Sequence, residues 1–205
     1  MKTTVFLIIT LLVFNGFINY SHSRVEADKF NTIFNKYDFK NSPGFAVLVA
    51  KDSEVIYRKA FGYANIELGV ELRPDHIFRI ASITKQFTAC AILKLEEEEK
   101  LSLEDDITKF IKDFPTQGNK ITIEHLLTHT SGIKNYTSCK EWNTEMSKKD
   151  FTTQEMIEFI KNAPPDFAPG EKYKYNNSAY FILGYIIEIV SGKTYEEYLN
   201  DNFFI

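Results

Sequence analysis

Two groups of residues in this chain carry side chains suited to nucleophilic chemistry. The first is Ser82-Ile83-Thr84-Lys85, and the second is Tyr175-Asn176-Asn177, about ninety residues later. In a helix of about 3.6 residues per turn, side chains three positions apart lie close enough to touch. A lysine amine at Lys85 is then able to take the proton of the Ser82 hydroxyl. Together the two groups predict a nucleophile, its base and a second proton carrier.

The same four-residue pattern occurs a second time, at Ser131-Gly132-Ile133-Lys134. About one Ser-x-x-Lys is expected by chance in a chain of this composition, so the pattern alone is weakly specific. Gly132 is typical of a helix end, where the geometry that brings the two side chains together is lost. Ser82 is predicted at the start of its helix, where backbone N–H groups would stabilise an oxyanion. The alternative is that Ser82 only caps the helix while Lys85 points to solvent.

Hydrophobic periodicity predicts the elements around these residues. Apolar residues at helical spacing predict helices over 28–37, 82–97 and 179–190, with shorter ones from Thr122 to about His129 and from Thr152 onward. Val- and Ile-rich runs at 45–50 and 55–59, separated by turn residues 51–53, predict a β-hairpin. We expect Ile83 and Cys90 on the buried face of the helix 82–97, and Gly192 at the end of the helix 179–190.

The composition argues against several kinds of partner. The net charge is −4 at pH 7 without a basic cluster, which argues against nucleic acid and anionic membranes as the main partner. The sequence has no Cys/His cluster at zinc spacing and no Gly-rich phosphate loop, so we predict no metal and no cofactor. Its two cysteines, Cys90 and Cys139, do not make a disulfide framework.

The first 23 residues have the pattern of a secretory signal peptide. Lys2 precedes an apolar run from Val5 to Phe14, and Ser21 and Ser23 fit the small positions before a cleavage site. An uncleaved membrane anchor is the alternative, although the run is short of the ~20 residues that a membrane span needs. We therefore expect a secreted or periplasmic protein whose mature part, 24–205, has 205 − 23 = 182 residues, enough for one domain.

Three stretches of the sequence are more informative together than singly. They are Phe78 to Lys85, Ile123 to Ile133, and Pro169-Gly170-Glu171 through Tyr175-Asn176-Asn177 to Leu183-Gly184. Together they resemble the serine β-lactamase-related family, which includes class C β-lactamases, penicillin-binding carboxypeptidases and lactamase-like esterases. The resemblance runs from about Gly44 to Ile205. It implies an α/β (α+β) fold of the β-lactamase/transpeptidase type, in which a mixed sheet and a helical domain enclose the site.

The resemblance also implies roles for four residues. Ser82 would be the nucleophile that is acylated, Lys85 would help to remove its proton, and Tyr175 would be the second acid–base group. A tyrosine with its ordinary pKa of about 10 is a poor base at neutral pH, so we expect the pKa of Tyr175 to be lowered. Asn177 would contact the substrate and the lysine.

Two histidines, His125 and His129, invite a Ser-His pair as a competing interpretation. Both lie in the stretch Leu126-Leu127-Thr128-His129-Thr130-Ser131-Gly132 or next to it. In the family this stretch shapes the wall of the site and does not supply its base. We therefore expect both histidines to be structural.

Members of this family continue beyond the matching stretch, with strands that finish the sheet, a Lys- or His-x-Gly motif and a final helix. We therefore expect a C-terminally truncated member, whose C-terminal strands and helix are missing and whose open hairpin edge favours self-association. The implied function is an exported serine hydrolase that forms an acyl-enzyme on a small-molecule or peptide substrate. Whether this chain is an enzyme stays open, because the third active-site motif is absent. The alternatives are a non-catalytic relic or interaction protein of the same family, or a part of a longer, ordinary enzyme.

Overall fold

The computed structural model describes residues 28–35 and 41–204. These residues form two compact units, one ending at Arg79 and the other beginning at Ile80. The predicted signal peptide, 1–23, and part of the predicted helix 28–37 lie outside the described residues. Within the described ranges, no helix is long and apolar enough to cross a membrane.

The first unit consists of a short helix and two β-hairpins. The helix α1 covers 28–34, and the strands are β1 Phe45–Lys51, β2 Glu54–Phe61, β3 Tyr63–Asn65 and β4 Val70–Glu71. β1 pairs antiparallel with β2, and β3 pairs antiparallel with β4. Asp52 and Ser53 join β1 to β2 with φ of 49° and 66°, the left-handed values that a tight two-residue hairpin turn needs. The hairpin predicted at 45–59 is confirmed.

The second unit is helical. Its helices are α2 Thr84–Glu97, α3 Ile123–Leu127, α4 Thr153–Lys161, α5 Asn177–Ser191 and α6 Tyr195–Phe203. α5 lies at the centre and packs against the other four. Branched apolar side chains from α2 to α5 form one hydrophobic core, with Ile92, Leu95, Ile123, Leu126, Ile157, Ile160, Ile182, Leu183, Ile186 and Ile187 fully buried. Burial of this core fixes α2 against α5.

Polar side chains fix where these helices begin. Thr122, Thr152 and Thr194 each accept a hydrogen bond from the backbone N–H three residues later, and the side chain at that later position bonds back. Such capping boxes satisfy backbone donors that the first helical turn leaves without partners. Gly192 ends α5 with φ of 69°, a left-handed conformation that favours glycine. The predicted helix starts at Thr122 and Thr152 and the predicted helix end at Gly192 are confirmed.

Two residues that were expected on the buried face of α2 are exposed. The buried positions of this helix are Thr88, Ala91, Ile92 and Leu95, the spacing of one helical face. Cys90 lies beside that face and is exposed, and Ile83 precedes the helix and is also exposed. The interpretation of both as core residues was wrong. Cys90 is turned by about 100° from its buried neighbour Ala91 around the helix, and Ile83 lies in a 3-10 turn outside the helix.

Candidate active site

Ser82 lies in a single 3-10 turn, Ala81–Ile83, that leads directly into α2. The helix was predicted to begin at Ser82, but its α-helical part begins at Thr84. Ala81 has φ of 46°, a left-handed value that is uncommon for a residue with a Cβ and that recurs at functional sites. The turn leaves Ser82 exposed just before the first turn of α2, where the helix dipole is positive.

Lys85 lies in the first turn of α2 with its ammonium group beside α5. Its Nζ donates to Asn177 Oδ1 over 2.8 Å. The same Nζ lies 4.8 Å from the ring centroid of Tyr175 and 5.5 Å from that of Tyr180, within the range of cation–π interactions. The packing of α2 on α5 therefore brings a cation, an amide and two aromatic rings to one place.

Tyr175 makes the contact that joins the two predicted groups. Its hydroxyl donates to Ser82 Oγ over 2.8 Å, across 93 residues of sequence. Burial raises the pKa of Tyr175, but hydrogen bonds with Lys85 and Ser82 and the charge of Lys85 outweigh burial, so this pKa lies below its usual value. A lowered pKa is what a tyrosine needs to act as a base closer to neutral pH. The structure thus brings Ser82, Lys85, Tyr175 and Asn177 together.

Asn176, between two of the predicted site residues, anchors the segment that carries Tyr175. It is only 3% exposed. Its side chain donates to the backbone oxygen of Ile133 and accepts from the backbone N–H of Ala179, which caps α5. Sequence reasoning gave Asn176 no important role. The signal for it was an Asn directly before an apolar helical pattern, which is typical of an N-cap.

The two histidines use the same ring nitrogen in the same way. His125 Nδ1 accepts from the backbone N–H of Thr122, and His129 Nδ1 accepts from that of Asn176. The first bond belongs to the capping box of α3. A ring nitrogen that accepts a backbone N–H is not available to take the serine proton, so these bonds favour structural roles.

Ser82, Lys85 and Asn177 line a cleft of about 520 Å³. Its other walls are mostly aromatic or hydroxyl-bearing side chains, among them Thr84, Thr88, Tyr136, Tyr180, Phe181, Tyr185 and Tyr195. This size and this mixture of apolar and polar groups are typical of sites for small molecules. Among the described residues, no group of three or more His, Cys, Asp or Glu side chains is placed to hold a metal ion.

Comparison with known sequences assigns the chain to a family. The family model described as "Beta-lactamase" matches residues 30–205. The chain belongs to the beta-lactamase family. Among curated relatives, "Penicillin-binding protein 4*" of Bacillus subtilis is 34% identical over 178 residues, which are 86% of this chain and 38% of that protein.

Two solved structures have a similar fold. The octameric penicillin-binding protein homologue from Pyrococcus abyssi matches with a TM-score of 0.68 and 40% identity, over 78% of this chain and 38% of that one. The D-amino acid amidase from Ochrobactrum anthropi, complexed with L-phenylalanine, matches with a TM-score of 0.68 and 28% identity, over 78% of this chain and 44% of that one. The expected mixed α/β fold of the β-lactamase/transpeptidase type is confirmed. The chain spans less than half the length of each of these three proteins.

Proposed function

We propose that this protein is an exported serine hydrolase that forms an acyl-enzyme on Ser82. The observation that carries the proposal is the 2.8 Å hydrogen bond between the Tyr175 hydroxyl and Ser82 Oγ, beside the ammonium group of Lys85. A nucleophile bonded to a base, with a third group that orients the base, is the arrangement that activates a serine. Membership in the beta-lactamase family supports the same chemistry.

In the acylation step, Ser82 Oγ attacks the carbonyl carbon of the substrate and loses its proton to the phenolate form of Tyr175. In the neutral form the Tyr175 hydroxyl donates to Ser82, and loss of the phenol proton reverses this bond so that Tyr175 accepts. The charge of Lys85 stabilises the phenolate. The backbone N–H groups at the start of α2 stabilise the oxyanion. The bond from the carbonyl carbon to the leaving nitrogen or oxygen then breaks, and the leaving group takes the proton.

In the deacylation step, water attacks the carbonyl carbon of the Ser82 ester. The phenolate of Tyr175, stabilised by the charge of Lys85, accepts the proton of the water and returns a proton to Ser82 Oγ as the ester bond breaks. Asn177 holds Lys85 in position through the 2.8 Å bond from Nζ to its Oδ1. Water supplies the atoms that complete the product acid, so the enzyme regains its starting state.

We propose a small amide, ester or peptide as the substrate. The cleft beside Ser82 has a volume of about 520 Å³ and several aromatic walls, which suit an acyl group that carries an apolar side chain. The similar amidase from Ochrobactrum anthropi is a D-amino acid amidase that was crystallised with L-phenylalanine. The amide of an aromatic D-amino acid is therefore the first amide to test.

Intact mass spectrometry of the full-length protein tests the proposed function. The protein is incubated with a β-lactam, an activated ester and an aromatic D-amino acid amide, and circular dichroism checks that it is folded. We expect a covalent adduct with the mass of the acyl group, located on the peptide that contains Ser82. A folded protein that forms no adduct with any of the three would contradict the proposal and favour the non-catalytic alternative.

Export is a separate part of the proposal. It rests on the signal-peptide pattern at 1–23. We expect protein recovered from the periplasm or the medium to begin near residue 24, as N-terminal sequencing would show. Protein that keeps Met1 and stays with the membrane fraction would support the anchor instead.

We also propose that the protein self-associates. The similar Pyrococcus abyssi homologue is octameric, and hairpin edges favour association between chains. Light scattering coupled to size-exclusion chromatography measures the mass of the particle in solution. A monomer at all accessible concentrations would contradict this part.

A further inference from the structure

His129 lies where the loop after α3 meets the segment before α5. Its ring centroid is 4.7 Å from that of Tyr175, 5.0 Å from that of Tyr180 and 5.8 Å from that of Tyr173. Its Nδ1 accepts a hydrogen bond from the backbone N–H of Asn176 over 3.2 Å. One side chain therefore contacts the ring of Tyr175 and binds the backbone next to it.

The backbone of His129 holds the other side of the same segment. Its carbonyl oxygen accepts from the backbone N–H of Lys174 over 2.9 Å. The φ of His129 is 61°, a left-handed value that His, Asn and Asp adopt more often than other residues with a Cβ. The residues directly before and after Tyr175 are thus both bonded to His129.

We propose that His129 is a positioning residue, which holds Tyr175 against Ser82 and does so only as a neutral imidazole. The effect of this positioning on catalysis rests on the proposed function. A neutral ring whose Nδ1 accepts a hydrogen bond carries its proton on Nε2. Protonation of Nδ1 replaces this acceptor with a donor that faces the N–H of Asn176, so the bond is lost.

The groups around His129 favour its neutral form. Tyr173 and Tyr175 face it from the segment before α5, Tyr180 faces it from α5, and Lys85 of α2 supplies a positive charge. Burial and the charge of Lys85 lower the pKa of His129 below its usual 6.5. The stabilisation from the neutral ring is therefore complete above pH 6.5 and is lost as the pH falls through the lowered value.

Two substitutions separate positioning from simple packing. His129→Asn keeps an acceptor oxygen at the place of Nδ1 and tolerates the left-handed backbone, but it does not titrate. His129→Ala removes the acceptor. We expect His129→Ala to slow acylation of Ser82 by about 10–100-fold at pH 7.5, and His129→Asn to restore the rate to within about threefold. His125→Asn, on the capping box of α3, is the matched control and should keep the wild-type pH profile.

Two measurements decide the proposal. The acylation rate should fall toward acid in both the wild type and His129→Asn, because the phenolate fraction of Tyr175 falls. In the wild type the acid end should fall more steeply as His129 protonates, and this additional fall should be absent from His129→Asn. Independently of catalysis, the backbone NMR signal of Asn176 should move with pH in the wild type and stay fixed in His129→Asn. An unchanged acid limb in His129→Asn, or an Asn176 signal that does not titrate in the wild type, would overturn the positioning role. A titrating signal without any acylation would overturn the proposed function alone.

Discussion

The chain contains the pattern Ser-x-x-Lys twice, and the two copies have different surroundings. In the first copy, Ser82 is exposed before α2 and accepts from Tyr175, while Lys85 donates to Asn177. In the second copy, 131–134, no helix continues after the serine. The same residue types at the same spacing thus produce a candidate nucleophile in one place and not in the other.

The second copy shows what the difference depends on. Ser131 is 2% exposed, α3 has already ended at Leu127, and Gly132 has φ of 73°, so the backbone around this serine is not helical. The absence of helical geometry in this copy agrees with the prediction, but Gly132 does not end the helix as expected, because α3 already ends at Leu127. Lys134 Nζ donates to Asp166 Oδ1 over 2.7 Å and is therefore engaged in an ion pair. The backbone conformation after the serine, rather than the four residue types, decides whether serine and lysine meet other reactive groups.

Removing each serine gives the largest expected contrast. We expect Ser82→Ala to lower turnover on the order of 10⁴-fold or more, because the acylated oxygen is lost. Ser131→Ala should leave turnover within about threefold, because Ser131 is buried away from the cleft chemistry. Intact mass and steady-state rates of both variants are the measurements. An acyl group found on Ser131 in either protein would reverse the comparison.

Removing the hydroxyl of Tyr175 should give the next largest effect. Tyr175→Phe keeps the ring beneath Lys85 but loses the bond to Ser82, so we expect acylation to slow by about 10²–10⁴-fold. Tyr180→Phe is the matched control, because Tyr180 also lies beside Lys85 while its hydroxyl donates to the backbone oxygen of Leu127. Single-turnover rates measure both. Equal losses in the two variants would show that the Tyr175 hydroxyl has no special part in acylation.

The glycine of the second copy tests the backbone argument through stability. A Cβ at Gly132 would overlap the backbone oxygen of Phe167, so Gly132→Ala requires the chain to shift. Gly192 has a similar φ but nothing within 4 Å of its added Cβ. We expect Gly192→Ala to cost about 1–2 kcal/mol of unfolding free energy from the left-handed backbone alone. Gly132→Ala should cost clearly more in urea unfolding, and similar midpoints for the two variants would contradict the close contact.

The ion pair of the second copy should give the smallest effect, and one that depends on pH. Burial raises the pKa of Asp166, but hydrogen bonds and charges from Lys134 and Lys174 outweigh it, so the pKa lies below its usual value. A carboxylate of this kind stabilises the fold above its unfolded pKa of about 3.9 and loses that effect as pH falls through the lowered value. We expect Asp166→Asn to lower the melting temperature by a few degrees at pH 7.

The control for Asp166→Asn is Asp113→Asn. The side chain of Asp113 is 79% exposed and pairs with Lys161 at the surface, where ion pairs contribute little. The melting temperature of Asp113→Asn should change less than that of Asp166→Asn. The difference between wild type and Asp166→Asn should shrink in acid, and a difference that stays constant down to pH 3 would remove the ion pair as its cause.

The parts of the fold that local interactions decide were predictable. The capping boxes at Thr122 and Thr152 each depend on a threonine and the residue three positions later, and the end of α5 depends on Gly192 alone. Such signals are readable because the interacting groups are neighbours in sequence. The hairpin turn at Asp52 and Ser53 belongs to the same class.

The parts that depend on packing between distant elements were not readable from local patterns. The bond from Tyr175 to Ser82 joins residues 93 positions apart and requires α2 to lie on α5. Only the family resemblance suggested it. The burial of Asn176 and the exposure of Cys90 were missed for the same reason, because each depends on which neighbour covers that position in three dimensions.

Asn176 also begins an acceptor pattern for N-linked glycans, Asn176-Asn177-Ser178. A glycan is bulky and must stay at the surface, whereas Asn176 is 3% exposed and its amide nitrogen donates to the backbone oxygen of Ile133. A sugar attached during synthesis in a eukaryotic secretory pathway would therefore keep Asn176 from its place before α5. Production in a bacterial host avoids this modification and leaves the segment that carries Tyr175 able to fold.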